Sequence, residues 1–370
     1  MNLSAFLPAS GQDARESSPP RPAAAGVGAG KVVVNTRAAV FETGGQQRMT
    51  LELMQRLPQL DRLSPARPLR GAKGHLWEQA VLPFRAGGRL LWSPSATGPV
   101  AYARQIVTLH DIAFFDIPEF FAPSFVRAYQ ALIPLLLRRA THVVTVSEFS
   151  RGRIIDRLGL PEDKVSLIYN GVSPRFGPRP PAEVDAVRAR FGIAGRYLLM
   201  QATSDPRKNL SRTLEAWSAV AQRTPGDLEL VVFGLTGRAH VFGRQQDLAA
   251  MPRVRHLGFV PDDDMAALMS GAEAFLFPSL YEGFGLPIIE AMRCGTAVLT
   301  SEASSTGEVA GGAALLVDPA SAESIGRGIV ALTEGQDLRA SLVARGHERA
   351  ACFDWDEAAR AYSRLFDRFA

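Results

Sequence analysis

Short apolar runs alternate with amphipathic stretches along most of this chain. In the second half, residues 197–201, 228–233, 254–259, 274–277, 297–300 and 313–317 are too short for helices, and most are too continuously apolar for strands with one wet face. The stretches between most of them have helical pattern, which predicts a parallel sheet with helices on both faces. The first half repeats the scheme. Strands are expected at 31–35, 90–92, 105–109, 142–146 and 164–169, and helices at 46–57, 124–139 and 148–158, the last capped by Ser147. Residues 60–74 carry Arg62, Arg67, Arg70 and Lys73 among prolines and glycines and read as an exposed basic loop. Residues 114–121, with Phe114, Phe115, Phe120 and Phe121, read as an aromatic loop packed under a long connection; a surface for a lipid or sugar acceptor is the sharper alternative. Four prolines between 174 and 181 break the chain in two. The expected fold class is α/β, with two doubly wound parallel-sheet domains at 30–180 and 181–355. A terminal helix follows over 356–370, with Ala359, Tyr362, Leu365, Phe366 and Phe369 near helical spacing. Residues 1–29, rich in Pro, Ala, Gly and Ser, read as a disordered leader.

Length agrees with two domains, since 370 residues exceed what one ordinary core serves. No run reaches the roughly 20 apolar residues that a membrane-crossing helix needs. The nearest, 128–137, is interrupted by Gln130 and Pro134 and followed by Arg138 and Arg139. The N-terminal stretch lacks a basic start and an apolar core of signal length, and two cysteines, Cys294 and Cys352, make no disulfide framework. A cytoplasmic address is expected. The net charge of +4 comes with no nucleic-acid module, so no nucleic-acid partner is expected. A phosphorylated substrate explains the basic bias, and so does an anionic membrane. Arg127, Arg138 and Arg139 on an apolar helix, together with the basic loop, predict peripheral contact at the inner face of the plasma membrane.

Candidate chemistry gathers at residues 274–300, AFLFPSLYEGFGLPIIEAMRCGTAVLT. The pattern is strand, loop, helix over 286–293, strand. Pro287 opens the helix without an amide to lose, and the free amides of 285–288 point back at the loop, where a helix start attracts anions. Glu282 in the loop and Glu290 one turn into the helix can both face whatever sits there. A second group, Asp205-Pro206-Arg207-Lys208-Asn209, follows a strand and begins a helix. Arg grips two phosphate oxygens and Lys supplies a point charge. Cations at a helix start oppose its dipole, which asks for another reason such as a bound anion. His110 ends the strand 105–109, at the edge where open α/β sheets bind ligands. Thr43-Gly44-Gly45, after the first strand, reads equally as a tight turn or a cleft-lining loop. No D-x-D constellation is read near the proposed site and no His/Cys cluster has ligand spacing, so neither catalytic metal nor cofactor is expected.

The words PSLYEGFGLPIIEAMRCGTAV, HDIAFF with VTVSEFSR in the first half, and DPRKN in the middle resemble the retaining, nucleotide-sugar-dependent glycosyltransferases of the GT-B fold, family 4. The resemblance runs from about Lys31 to the C-terminus. It implies two Rossmann-like domains facing a cleft, acceptor side first and donor side second, with the terminal helix crossing back onto the first. It implies that Glu282 touches the transferred sugar and that Gly283, Phe284, Gly285 and Leu286 support sugar and phosphate. Glu290 would accept the two ribose hydroxyls, which suits a carboxylate with two acceptor oxygens. Gly45 would line the cleft near the donor phosphates, His110 would position the sugar, and Arg207 and Lys208 would hold the diphosphate. The sequence departs from the family at Gln201-Ala202-Thr203, where glycine is usual, and at Gly307, where proline is common. The implied reaction moves a hexose onto a polysaccharide or lipid-linked oligosaccharide; the flavour of HDIAFF and DPRKN favours mannose from GDP-mannose. A nucleotide-sugar epimerase is the rival enzyme. A non-catalytic nucleotide- or glycan-binding partner is the rival from another class, and the intact His110, Arg207, Lys208, Glu282 and Glu290 argue against it.

Overall fold

The computed structural model describes residues 30–370 apart from 42–43, 202, 204, 235–239, 242–243 and 246–250. The expected leader, Thr43 and Ala202 lie outside the described residues. The first sheet holds β1 (Val32–Asn35), β2 (Asp61–Leu63), β3 (Leu90–Ser93), β4 (Gln105–Thr108), β5 (His142–Thr145) and β6 (Val165–Leu167), in the spatial order β2-β1-β3-β4-β5-β6. The chain continues with β7 (Arg196–Gln201), β8 (Leu228–Phe233), the two-residue antiparallel pair β9 (His240–Val241) and β10 (Arg244–Gln245), then β11 (Val254–Gly258), β12 (Ala274–Phe277), β13 (Ala297–Ser301) and β14 (Leu315–Val317). The second sheet has the order β11-β8-β7-β12-β13-β14, and both six-stranded sheets are parallel throughout. Strand order reverses between β1 and β3 and between β7 and β12, so each sheet opens a crevice at the carboxyl ends of those strands.

The helices of the first half are α1 (Gly45–Arg56), α2 (Gly71–Ala80), α3 (Leu82–Ala86), α4 (Ala113–Asp116), α5 (Pro123–Arg139) and α6 (Glu148–Leu158). Those of the second are α7 (Pro181–Arg190), α8 (Leu210–Val220), α9 (Asp262–Gly271), α10 (Leu286–Arg293), α11 (Ser305–Ala310), α12 (Ala322–Glu334), α13 (Gln336–Ala351) and α14 (Trp355–Phe369). Strand β12 explains its own apolar run. Phe275 and Phe277 point into the layer that holds Ile288 and Ile289 of α10, while Leu276 points into the opposite layer with Trp217 of α8 and Ile329 of α12. Both faces are covered, so no polar alternation is needed, and each such side chain stabilises by roughly 1.5–3 kcal/mol.

Helix α14 returns to the first sheet. Tyr362 and Phe366 pack on Trp92 at 5.0 and 5.6 Å, and the Tyr362 hydroxyl lies 3.0 Å from Thr108 Oγ1. Arg56 Nε donates to Asp356 Oδ1 at 2.6 Å. Gly171 permits this passage, because a Cβ there would lie 2.2 Å from the Trp355 nitrogen.

Two expected loops carry regular structure. Residues 60–74 include edge strand β2 and the start of α2; only Leu63 of β2 is buried, and three residues framed by charges leave no periodic signal. Residues 114–121 include α4 and a 3-10 turn, Pro118–Phe120, with Phe114 buried. The proline-rich connection breaks as expected and then uses Pro181 to open α7, where a missing amide costs nothing.

Candidate functional site

A cavity of about 500 Å³ lies where the carboxyl ends of the two sheets face each other. It is lined by Gly45, His110, Arg207, Lys208, Glu282, Gly283, Phe284, Gly285, Leu286 and Glu290, so all of the candidate residues meet there. A smaller cavity of about 230 Å³ adjoins it, with Phe176, Phe233, Val260, Met265 and Met269 among its walls; Arg48, Gln201, Thr203, Pro287 and Glu290 line both.

The loop between β12 and α10 is held by its carbonyls. Ser305 Oγ donates to the Glu282 and Phe284 carbonyls at 2.9 and 3.1 Å, and Ser147 Oγ reaches across the cleft to the Gly283 carbonyl at 2.7 Å. Gly285 takes φ +98 ahead of the helix, a conformation that favours glycine. A Cβ at Gly283 would lie 2.5 Å from the His110 carbonyl oxygen, so this glycine lets the two halves touch. Glu308 locks the same junction. Its carboxylate accepts from the amides of Glu148 and Phe149 at 2.8 and 2.9 Å, where the dipole of α6 favours negative charge, and Tyr169 donates its hydroxyl to it at 2.9 Å. Burial, together with Glu308, pushes the Tyr169 hydroxyl up to about 12.

Arg207 and Lys208 occupy a 3-10 turn, Pro206–Lys208, and α8 begins only at Leu210, which corrects the expectation that they begin the helix. Asn209 pins that turn by donating to the Pro278 and Pro319 carbonyls at 2.9 and 2.7 Å. Neither cation is free. Arg207 Nη2 pairs with Asp205 Oδ2 at 2.6 Å and lies over the Phe121 ring at 5.1 Å, while Lys208 Nζ donates to Glu282 Oε1 at 2.7 Å. Burial works against the Asp205 carboxylate, but Arg207 outweighs it and holds its pKa below the usual value.

His110 is buried, and burial lowers its pKa, with the Pro94 carbonyl and Asp111 acting weakly the other way. Neutral, it donates Nε2–H to the Pro94 carbonyl at 3.0 Å, which leaves Nδ1 as an acceptor. Glu290 is also buried, and burial raises its pKa while Arg48 opposes the rise. Arg48 Nη1 donates to Glu290 Oε1 at 2.5 Å. Sequence reading gave no site role to Arg48, Asp111, Asn170, Gln201 or Thr203, all of which line the larger cavity. Arg48 had a signal, three residues past Gly45 on the helix that the glycine loop starts. Gln201 and Thr203 stand at the departure from family glycine; Gly307 lies within α11. Among the described residues, no group of three or more His, Cys, Asp or Glu is placed to hold a metal ion.

Two facing parallel sheets, a cavity at their switch points, and carboxylates and cations around a helix start make a site suited to a phosphorylated ligand. The comparisons agree. Residues 188–349 match the family model described as Glycosyl transferases group 1, and residues 81–176 match that described as Glycosyltransferase Family 4. The chain is 34% identical to O-antigen chain mannosyltransferase B of Escherichia coli, over 70% of this chain and 68% of that protein. It is 32% identical to the phosphatidyl-myo-inositol mannosyltransferase of Mycobacterium tuberculosis, over 65% of this chain and 63% of that protein, less than two thirds of its length. Among solved structures, HepE of Anabaena in complex with UDP and glucose superposes with a TM-score of 0.72 at 19% identity, covering 90% of this chain and 98% of that one. WaaG, a glycosyltransferase involved in lipopolysaccharide biosynthesis, also gives 0.72, at 16% identity over 90% of this chain and 99% of that one. The chain belongs to glycosyltransferase family 4 and has the GT-B fold.

Proposed function

We propose that this glycosyltransferase moves mannose from GDP-mannose to a glycan or lipid-linked acceptor with retention of configuration and without a metal ion. In this reading residues 30–180 present the acceptor, 181–355 bind the donor, and 356–370 tie the two together. The observation that carries it is the single cavity shared by His110, Lys208, Arg207, Glu282 and Glu290 at the switch points of both sheets. The nucleobase enters the smaller cavity, the ribose hydroxyls meet Glu290 at the junction, and the sugar lies between Glu282 and His110. Arg207, Lys208 and the first amides of α10 meet the charge that develops on the departing diphosphate. Lys208 exchanges Glu282 for phosphate as the donor binds, and Arg207 shares its fork between Asp205 and phosphate. The anomeric C–O bond to diphosphate breaks, the acceptor oxygen bonds to the same face, and the acceptor proton passes to the leaving phosphate. His110 Nδ1 accepts from a sugar hydroxyl. Mannose is supported by the mannosyltransferase relatives.

A thermal-shift screen against nucleotide sugars tests the donor. A ligand at about 100 times its dissociation constant adds about 2.7 kcal/mol of stability. A shift with UDP-glucose and none with GDP-mannose would overturn the choice of donor. Transfer that EDTA abolishes and manganese restores would overturn metal independence.

The same reading includes contact with an anionic membrane face. Leu76 on α2, Val81 between the two helices and Phe84 on α3 are exposed, Phe84 at 85%, beside exposed Arg62, Arg67, Arg70, Lys73 and Arg85. The acidic residue within that stretch, Glu78, is buried. This reading keeps the basic loop of the expectation and takes its apolar part from Leu76, Val81 and Phe84 instead of the helix that carries Arg127, Arg138 and Arg139. Flotation with phosphatidylglycerol vesicles, but not phosphatidylcholine vesicles, is the expected result; flotation with neither removes the membrane from the reading.

A further inference from the structure

Glu290 is the buried carboxylate at the junction of the two cavities, and its nearest counter-charge comes from the other half of the molecule. Arg48 rises from α1, immediately after the glycine loop, and crosses the cleft to donate to Glu290 Oε1 at 2.5 Å. Its second nitrogen lies 3.4 Å from Asp262 Oδ1 at the start of α9, and its guanidinium stands 5.9 Å from the Phe176 ring centroid. Glu290 Oε2 accepts no hydrogen bond among the described residues, which leaves it to a ligand. The side chain of Glu290 is 6% exposed and that of Arg48 is 22% exposed.

The geometry points to Arg48 as a positioning residue for the donor: reaching across the cleft, it keeps Glu290 ionised and oriented, so that the carboxylate accepts both ribose hydroxyls at neutral pH. This rests on the donor reading above. A carboxylate accepts two hydroxyl donors side by side only when ionised; the carboxylic acid turns one oxygen into a competing donor. The surroundings otherwise oppose ionisation. Burial raises the pKa of Glu290, and Asp262 raises it further. The favourable charges are Arg48 first and Arg175 second, and Arg175 is itself held by Asp262 at 2.7 Å. Just past the end of α10 Cys294 is a buried thiol pushed up to about 12, neutral at working pH. Helix α13 turns His347 toward Gly295 and Gly346 toward Met292, not toward Glu290. Strands β12 and β13 offer no ionisable side chain to it. Arg48 thus lends a donor-side carboxylate its charge only when the halves stand as close as they do here.

The test is the pH dependence of nucleotide binding by calorimetry, using GDP, UDP and ADP as probes and the tightest of the three thereafter. Wild type should bind evenly from about pH 6.5 to 8.5. Arg48→Met should bind on the order of tenfold more weakly at the acid end, because without Arg48 burial favours the protonated carboxyl, and should recover toward wild type at the alkaline end. Arg48→Lys should follow wild type, which separates the charge from any effect on folding. Combining Arg48→Met with Glu290→Gln should abolish the pH dependence. A parallel loss at every pH would mean that Arg48 touches the nucleotide itself or only supports the fold, and unchanged or tighter binding would mean that it obstructs the site; either overturns the inference. Failure of wild type to bind any of the three nucleotides would sink the donor reading, and this inference with it.

Discussion

Gly283→Ala isolates how closely the two halves must meet. The backbone of Gly283 does not take a positive φ, so alanine brings no conformational strain there, only volume. Its Cβ would stand 2.5 Å from the His110 carbonyl oxygen and 3.1 Å from Asp111 Cβ and Oδ2. An ordinary contact begins at 3.4 Å, so the loop and the end of β4 must part by about 0.9 Å. The neighbouring atoms on one side are backbone, which does not swing aside as a side-chain tip would. His110 and Glu282 therefore separate by on the order of 1 Å, and a misplacement of that size costs roughly 10² in turnover. Overpacking should cost only about 1–3 kcal/mol of stability, leaving the variant folded at assay temperature. The assay is GDP release from GDP-mannose under saturating donor, alongside a thermal melt. A folded variant with turnover within about threefold of wild type would refute the argument that this contact sets the catalytic geometry.

Glu282→Gln should depress turnover with little change in donor affinity, because it contacts the group that gains charge as the bond breaks, whereas Glu290→Ala should raise the Michaelis constant for donor and spare turnover. Exchange of these two signatures in steady-state kinetics would reverse the assigned roles. Lys208→Ala should lower turnover by about 10², the order seen when one transition-state charge partner is removed; an undiminished rate would show that Arg207 and the helix amides suffice. His142 is buried beside Phe369, and burial, with Arg368 and Lys164 adding to it, lowers its pKa to about 4. The unfolded chain binds this proton near pH 6.5, so His142 lowers stability as pH falls from about 6.5 to about 4, by on the order of 3 kcal/mol. In urea melts across that window His142→Gln should lose stability less steeply than wild type; equal slopes would exclude this histidine.

The sheet-forming runs were legible because parallel strands covered on both faces must be apolar without alternation, and 274–277 or 228–233 have no other way to be buried. The helix at Leu286–Arg293 was legible because Pro287 marks its start, and Ser147 because its side chain caps α6 at the Ser150 amide. Nine of the ten candidate residues were legible as family words, each written within one short stretch of chain; Gly45 was legible only as a glycine loop after the first strand. Edge strand β2 was not, since three residues that hide one side chain leave no period to read. The ion pairs that fill the site were not legible either. Arg48 and Glu290 are 242 residues apart, and Lys208 and Glu282 are 74 apart. Local pattern reports which face of its own element a residue occupies. It carries nothing about which charge the other half of the molecule brings opposite, and that is settled only when the sheets meet and water leaves the space between Glu290 and Arg48.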